Sequence, residues 1–351
     1  MQALFPDADV FIVDDLTSVT WSAYFPDQGR NTFILVDENT RKYCLPAVQR
    51  FLPESTIIEI PSGEGNKHIA TCQIIWKALL DAAADRKATL LNLGGGVIGD
   101  MGGFVASTYK RGIDFVQMPT TLLSQVDASV GGKLGVDFDG LKNVIGVFRQ
   151  PKAVFIHSNF LDTLPANQLM SGFAEILKHG LIADAAYWNS LQSVNPLEHN
   201  DWADIIARSV AIKQDVVTAD PLEKGRRKIL NFGHTLGHAI ETWSLTAEDQ
   251  PLLHGEAIAI GMIGETYLSQ RHAGLPSEDA SAIMATLQQW YPKRHIPSDA
   301  VDTIISLLAN DKKNEGKVVM YSLLRSIGDC TFDIAVPESA AREAIEFYQS
   351  L

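Results

Sequence analysis

The stretch that most restricts the fold is Thr89-Leu90-Leu91-Asn92-Leu93, which runs straight into Gly94-Gly95-Gly96-Val97-Ile98-Gly99-Asp100-Met101-Gly102-Gly103. A strand-like run followed by G-x-G-x-x-G, at Gly94, Gly96 and Gly99, and then by a helix is one half of a βαβ unit. Glycine in that turn permits φ > 0 and lets backbone N–H groups approach a pyrophosphate at a helix N-terminus. The alternative is a structural glycine turn without a ligand; Gly102-Gly103 inside the helix suits close packing in both cases. The acidic partner expected about 20 residues further on is not clear, because Asp114 falls at that distance but at the start of its strand.

The neighbouring sequence continues the alternation. Residues 33–36, 56–60, 115–118 and 153–156 read as further strands, and Ile69, Cys72, Ile75, Trp76, Leu79, Leu80 and Ala83 fall at helical spacing between two of them. Strand–helix alternation argues for a parallel sheet covered by helices. From about Ser171 the texture becomes mainly helical, over 173–191, 202–217, 229–243, 256–272, 280–290 and 301–310, with two short β-like runs at 318–323 and 330–335 before a last helix. At roughly 150 residues per domain, 351 residues suit two domains, with a boundary near Pro165 to Gly172.

Composition excludes several classes. Hydrophobic residues at 46% and charged residues at 20% are ordinary for a globular protein and rule out disorder and fibres. The formal net charge of −13 argues against nucleic acid and against an anionic membrane surface. Cys44, Cys72 and Cys330 form no CxxC pair, residues 1–7 lack the pattern of a signal peptide, and no apolar run approaches the roughly 20 residues of a membrane helix. The expectation is a cytoplasmic protein.

Three histidines stand beside glycines. His234 and His238 lie at i, i+4 in Asn231-Phe232-Gly233-His234-Thr235-Leu236-Gly237-His238-Ala239-Ile240-Glu241, and His254 lies in Leu253-His254-Gly255-Glu256. Upstream, Glu175 and Lys178 stand one turn apart in Ala174-Glu175-Ile176-Leu177-Lys178-His179. Two histidines and a carboxylate suit a borderline metal such as Zn²⁺ with an open position for substrate, but spacing leaves open which two histidines bind. Three unrelated, hydrogen-bonded helical histidines are the alternative. His157, His199, His272 and His295 read as structural. Residues 119–133, ending in Gly131-Gly132-Lys133, and Gly140-Leu141-Lys142-Asn143 read as site loops at the carboxyl end of a parallel sheet, or as surface lysines. Asp311-Lys312-Lys313-Asn314 on its own reads as a solvated turn.

Together these residues resemble the family of 3-dehydroquinate synthases over roughly residues 60–330. Gly94 to Gly103 resembles its GGGVxGDxxGF, Pro119 to Lys133 its PTTLLxQVDxSVGGK, and residues 140–143, 171–180, 230–241, 254–256 and 311–313 follow in the family's order. The resemblance implies an α/β fold, with a Rossmann-like parallel-sheet NAD domain over 1–170 and a mainly α-helical metal- and substrate-binding domain over 171–351. It implies that Glu175, His234 and His254 hold Zn²⁺, with Co²⁺ as an alternative, and that His238 belongs to the substrate site. For NAD it implies Asp37, Asn39, Glu64, Lys67, Gly95, Gly96, Val97, Asp100, Thr120, Thr121, Lys142, Phe160 and Thr163. For the substrate it implies Arg111, Asp127, Lys133, Lys142, Asn143, Lys178, Lys213, Arg227, Asn231, His238 and Lys312, in a homodimer where the arginine matching Arg111 reaches the neighbouring site. Asn167-Gln168 and Pro221-Leu222 depart from the family pattern, and the first 30 residues carry no family signal.

The implied reaction turns 3-deoxy-D-arabino-heptulosonate 7-phosphate into 3-dehydroquinate and phosphate. It runs through transient NAD oxidation, phosphate elimination, re-reduction, ring opening and intramolecular aldol closure. The competing readings are another sugar-phosphate cyclase of the 2-epi-5-epi-valiolone synthase type, a metal-dependent polyol dehydrogenase, and a nucleotide-binding regulatory module. The net charge describes the average surface; seven basic residues (Arg111, Lys133, Lys142, Lys178, Lys213, Arg227 and Lys312) are expected at one site, where they would draw in an anionic substrate.

Overall fold

Each strand-like run of the first half pairs into one sheet. The computed structural model describes residues 3–5, 8–139, 141–309 and 318–351. The chain forms two compact units, residues 1–165 with 200–211 and residues 166–199 with 212–351.

The first unit carries strands β1 (Ala3–Phe5), β2 (Ala8–Ile12), β3 (Thr32–Asp37), β4 (Thr56–Ile60), β5 (Thr89–Gly94), β6 (Asp114–Pro119), β7 (Lys133–Phe138), β8 (Leu141–Phe148) and β9 (Ala153–Ile156). Its helices are α1 (Trp21–Tyr24), α2 (Glu38–Tyr43), α3 (Leu45–Gln49), α4 (Ile69–Asp81) and α5 (Gly96–Thr108). The sheet order is β1-β2-β9-β6-β5-β3-β4, and every pairing is parallel except the β1–β2 edge. Neighbours along β3 point to opposite faces, as a two-residue repeat requires. Phe33 and Leu35 pack with Ile75 and Leu79 of α4 and Met101 of α5; Ile34 and Val36 pack with Trp21, Leu45 and Phe155. Both faces are therefore covered, which is why β3 and β5 read as continuous apolar runs without alternation.

Two expectations change here. Lys133 and residues 141–143, read as parts of site loops, belong instead to an antiparallel hairpin, β7–β8. Only Leu134 and Val136 of β7 enter the core, whereas Leu141, Val144 and Phe148 of β8 are exposed, so the alternation was too short and partly inverted. The glycine turn also works differently: Gly94, Gly95, Gly96 and Gly99 are all absent from the left-handed region. They serve close approach. A Cβ on Gly102 would meet Asn92 Oδ1 at 2.0 Å, and one on Gly94 would meet Ile98 Cβ at 2.5 Å.

The second unit contains α6 (Ala166–Ala183), α7 (Ala185–Leu191), the second half of α8 (Ala203–Ala219), α9 (His234–Ala247), α10 (His254–His272), α11 (Ser277–Trp290), α12 (Ala300–Ala309), the antiparallel pair β10 (Val318–Ser326) and β11 (Asp329–Pro337), and α13 (Glu338–Ser350). The expected helix over 173–191 breaks at Asp184, whose carboxylate caps α7. The expected helix over 229–243 begins with a 3₁₀ turn at Arg226–Asn231 and restarts at His234. α10 packs against α6, α9, α11, α13 and β10, so it is apolar around its circumference. No helix among the described residues is long and apolar enough to cross a membrane.

Candidate active site

The second unit brings three ligand-type side chains together. Glu175 lies buried in α6, His234 is the first residue of α9 and His254 the first of α10. The Nε2 atoms of His234 and His254 stand 3.4 and 3.5 Å from Glu175 Oε1. Two donors bound at about 2.0–2.1 Å in a tetrahedral shell stand roughly 3.4 Å apart, so this spacing fits one shared cation.

The outer partners fit as well. His234 Nδ1 donates to the Phe232 carbonyl at 3.1 Å, and His254 Nδ1 stands 3.4 Å from Glu241 Oε2. In the neutral ring that a cation needs, each Nδ1 contact leaves Nε2 as the lone-pair nitrogen facing Glu175. Burial and the Lys178 ammonium hold the His234 pKa well below its usual value. Burial opposes the charge on His254 too, but hydrogen bonds from its ring to Glu175 and Glu241 outweigh it and raise that pKa to about 9. Lys178, itself buried, forms an ion pair with Glu175.

His238 is half exposed, and its Nδ1 stands 3.2 Å from Glu241 Oε2. The rings of His234, His238 and His254 have centroids 5.1, 5.6 and 5.7 Å apart. His238, Glu241 and His254 form a second ligand-type group that shares His254. Nearby in sequence, Arg227 is buried with its guanidinium donating to the Pro221 carbonyl at 2.8 Å, and Asn231 donates to Glu223 at 2.9 Å. Lys213 on α8 is buried. Lys312 lies outside the described residues.

Glycines fix the ligand helices. A Cβ on Gly255 would meet the Ser171 carbonyl oxygen at 2.0 Å, and one on Gly261 the Gly233 carbonyl oxygen at 2.0 Å. Gly233, at φ 78°, offers no side-chain cap to α9. The cap comes instead from Glu265 on α10, which accepts from the Gly233 N–H at 2.6 Å and the Leu236 N–H at 3.0 Å. Burial pushes the Glu265 carboxyl up to about 8 although these N–H groups pull it down. An acid whose folded pKa is raised holds its proton in the folded state after the unfolded chain has released it. Stability contributed by this group therefore falls as pH rises, by up to about 1.4 kcal/mol per unit between about 5 and 8. Urea denaturation of Glu265→Gln at several pH values is expected to show a flatter dependence over that window than the parent. Equal slopes would refute the assignment.

In the first unit the NAD candidates gather at the carboxyl ends of the parallel strands. Asp37 ends β3, and Asn39 lies in α2 just beyond it. Glu64 and Lys67 follow β4, Gly95, Gly96, Val97 and Asp100 follow β5, Thr120 and Thr121 follow β6, and Phe160 and Thr163 follow β9. α5 begins at Gly96, and its N-cap Gly95 offers no side-chain cap. Asp37, implied by the resemblance, is an acid that the spacing rule did not locate: β3 pairs with β5, so the carboxylate stands at the tip of the neighbouring strand, although it precedes the glycine turn in the chain. Its Oδ1 accepts from the Thr40 N–H at 2.8 Å.

Lys67 Nζ donates to Asp100 at 2.6 Å and to Asn143 Oδ1 at 2.7 Å. Burial disfavours the Lys67 ammonium, but Asp100 and Glu64 overcome it and hold its pKa above the usual value. Lys142 pairs with Glu64 at 3.5 Å. Asn143, expected with the substrate, thus stands beside the cofactor candidates. Asp127 lies in a single π-turn at Ser124–Ala128, Lys133 is exposed at the start of β7, and Arg111 is exposed in a turn where Lys110 and Arg111 have φ of 50° and 70°. His157, read as structural, donates Nδ1–H to the Val13 carbonyl at 2.6 Å.

Sequence reasoning missed Glu241 and Glu265. The signals were present: Glu241 is three residues beyond His238, and Glu265 is a carboxylate in the otherwise apolar run 257–268.

A parallel sheet with a glycine turn and a helical unit bearing a His₂–Glu donor set fit the fold that sugar-phosphate cyclases share with alcohol dehydrogenases. The chain is similar in structure to 2-epi-5-epi-valiolone synthase from Streptomyces hygroscopicus subsp. jinggangensis 5008 with NAD⁺ and Zn²⁺ bound, at 26% identity and TM-score 0.84, over 98% of this chain and 97% of that one. It shares its fold with an iron-containing alcohol dehydrogenase, at 14% identity and TM-score 0.66, over 98% of both chains. The family models for the 3-dehydroquinate synthase N-terminal and C-terminal regions match residues 57–171 and 172–314. The 3-dehydroquinate synthase of Parabacteroides distasonis is 40% identical over 90% of this chain and 91% of its own length. That of Citrifermentans bemidjiense is 44% identical over 77% and 75%. The chain belongs to the 3-dehydroquinate synthase family. It is an enzyme, a phosphate-eliminating carbon–oxygen lyase that forms 3-dehydroquinate.

Proposed function

We propose that the enzyme acts on 3-deoxy-D-arabino-heptulosonate 7-phosphate with NAD at the sheet's carboxyl edge and a divalent cation, Zn²⁺ or Co²⁺, on Glu175, His234 and His254. The observation that carries this reading is the 3.4 and 3.5 Å spacing of the two Nε2 atoms from Glu175, with a hydrogen-bond acceptor behind each Nδ1. When bound, NAD supplies transient redox chemistry and the cation supplies Lewis acidity toward a substrate oxygen.

The chain's own residues place and charge the substrate. Lys178, Lys213 and Arg227 are buried cations in a chain of net charge −13, and an anionic substrate is the partner such groups suit. The Arg227 guanidinium, anchored by the Pro221 carbonyl, presents a planar fork suited to a carboxylate or phosphate. Lys178 beside Glu175 orients substrate hydroxyls, and Asn231, held by Glu223, adds a neutral donor. With Nδ1–H directed to Glu241, His238 keeps Nε2 as the nitrogen that accepts a proton. Lys133, Lys142, Asn143, Asp127 and Lys312 complete the substrate set. Arg111 serves the neighbouring site of a homodimer; its left-handed backbone, of the kind that costs roughly 1–3 kcal/mol per residue, supports a role for that exposed turn. A cytoplasmic location agrees with three buried, unbridged thiols.

The test is phosphate release from the heptulosonate phosphate, with and without NAD⁺ and a chelator. Release that needs both cofactors and leaves no net NADH is expected. Accumulation of NADH without phosphate would mark a polyol dehydrogenase instead.

A further inference from the structure

Glu241 is unusual in serving two imidazoles through one oxygen. It sits on α9 one turn beyond His238 and two turns beyond His234, and its side chain is buried. Its Oε2 stands 3.2 Å from His238 Nδ1 and 3.4 Å from His254 Nδ1. His254 thus has a carboxylate at each ring nitrogen: Glu241 at Nδ1, and Glu175 at Nε2 at 3.5 Å.

These two contacts are not equivalent. A neutral imidazole carries one N–H and one lone pair. Glu241 belongs to the helix that also carries His234, so it can take the His254 Nδ1–H without moving any ligand. The lone pair then falls on Nε2, on the side where His234 Nε2 also faces Glu175. A buried carboxylate behind a ligating histidine fixes the tautomer and ring orientation and raises ligand basicity. The same oxygen holds the half-exposed His238 in the matching tautomer.

We propose that Glu241 is a positioning residue that sets the His254 tautomer for cation binding and ties His238 to the same hydrogen-bond hub. This rests on the cation assignment above, so the test separates the two. Cation affinity is measured by chelator competition with Zn²⁺ and with Co²⁺ for the parent, Glu241→Gln, Glu241→Ala, His238→Ala and His254→Ala, and thermal melting checks that each is folded. Glu241→Ala is expected to bind about 10- to 100-fold more weakly, and Glu241→Gln, which keeps an acceptor oxygen, to recover part of that loss. The visible ligand-field bands of the Co²⁺ form should shift in Glu241→Ala, a signature that a merely structural role would not move. His238→Ala should bind within about twofold of the parent.

Parental affinity and spectrum in both Glu241 variants, with His254→Ala impaired, would overturn the positioning role alone. Loss in His238→Ala as large as in His254→Ala would place the cation on His238, Glu241 and His254 and overturn it also. Parental affinity in His254→Ala would refute the cation assignment itself. If Glu241→Ala does not fold, Glu241→Gln decides by its affinity and Co²⁺ spectrum.

Discussion

Replacing His254 with alanine is expected to remove the cation and with it turnover. The donor set has three members, and removing one leaves Glu175 and His234, too few for a catalytic shell of three protein ligands and one open position. Affinity should fall by more than the roughly 10- to 100-fold that loss of an outer partner costs. Lewis-acid stabilisation is worth several kcal/mol, so phosphate release should drop by roughly 10³-fold or more. The fold should survive, because Lys178 still balances the buried Glu175 charge. Metal content after dialysis, circular dichroism and phosphate release measure all three. A parental rate in protein shown to contain no metal would end the proposal.

Gly261→Ala is expected to be severely damaging although it removes no functional group. Its Cβ would lie 2.0 Å from the Gly233 carbonyl oxygen and 2.7 Å from the Gly237 N–H nitrogen, both backbone atoms that no rotamer change can move. The helices must separate, and the separation acts on the turn that precedes His234 and on the Glu265 cap. Overpacking of this kind costs about 3 kcal/mol or more, a fall of roughly 6–12 °C in Tm. Cation affinity should fall with it, since His234 moves relative to His254. Calorimetry and chelator competition give both values; a parental Tm would contradict the packing described.

The sheet was legible because most of its strands are buried on both faces. Residues 33–36, 56–60, 89–93, 115–118 and 153–156 are apolar runs bounded by turns, and each lies within a strand. The β7–β8 hairpin was not legible, because exposed Leu141, Val144 and Phe148 reverse the usual inside–outside pattern. The start of α9 was hidden for another reason: Gly233 breaks the helix, yet the cap that lets it restart comes from Glu265, 32 residues away. Asp37 shows the same limit, since a search downstream of the glycine turn cannot find an acid on a strand that comes earlier in the chain. Histidine spacing drew attention to His234, His238 and His254, but only the fold brings Glu175 into register with two of them. Which nitrogen each ring presents is a matter of partners, Phe232 and Glu241, that no spacing rule contains.

The glycine contacts beside His234 and His254 also bear on how the enzyme would be assembled in a cell. Gly255 locks α10 onto Ser171 of the Glu175 helix, and Gly261 locks it onto the loop before His234, through backbone packing that involves no metal. Zinc fingers must spend binding energy on folding; helix contacts of this kind need no ion, so more of that energy would be left to retain a cation. Stripped enzyme should therefore keep its shape and recharge on adding back metal, without a refolding lag. Newly made chains would then await the cation as intact apoprotein.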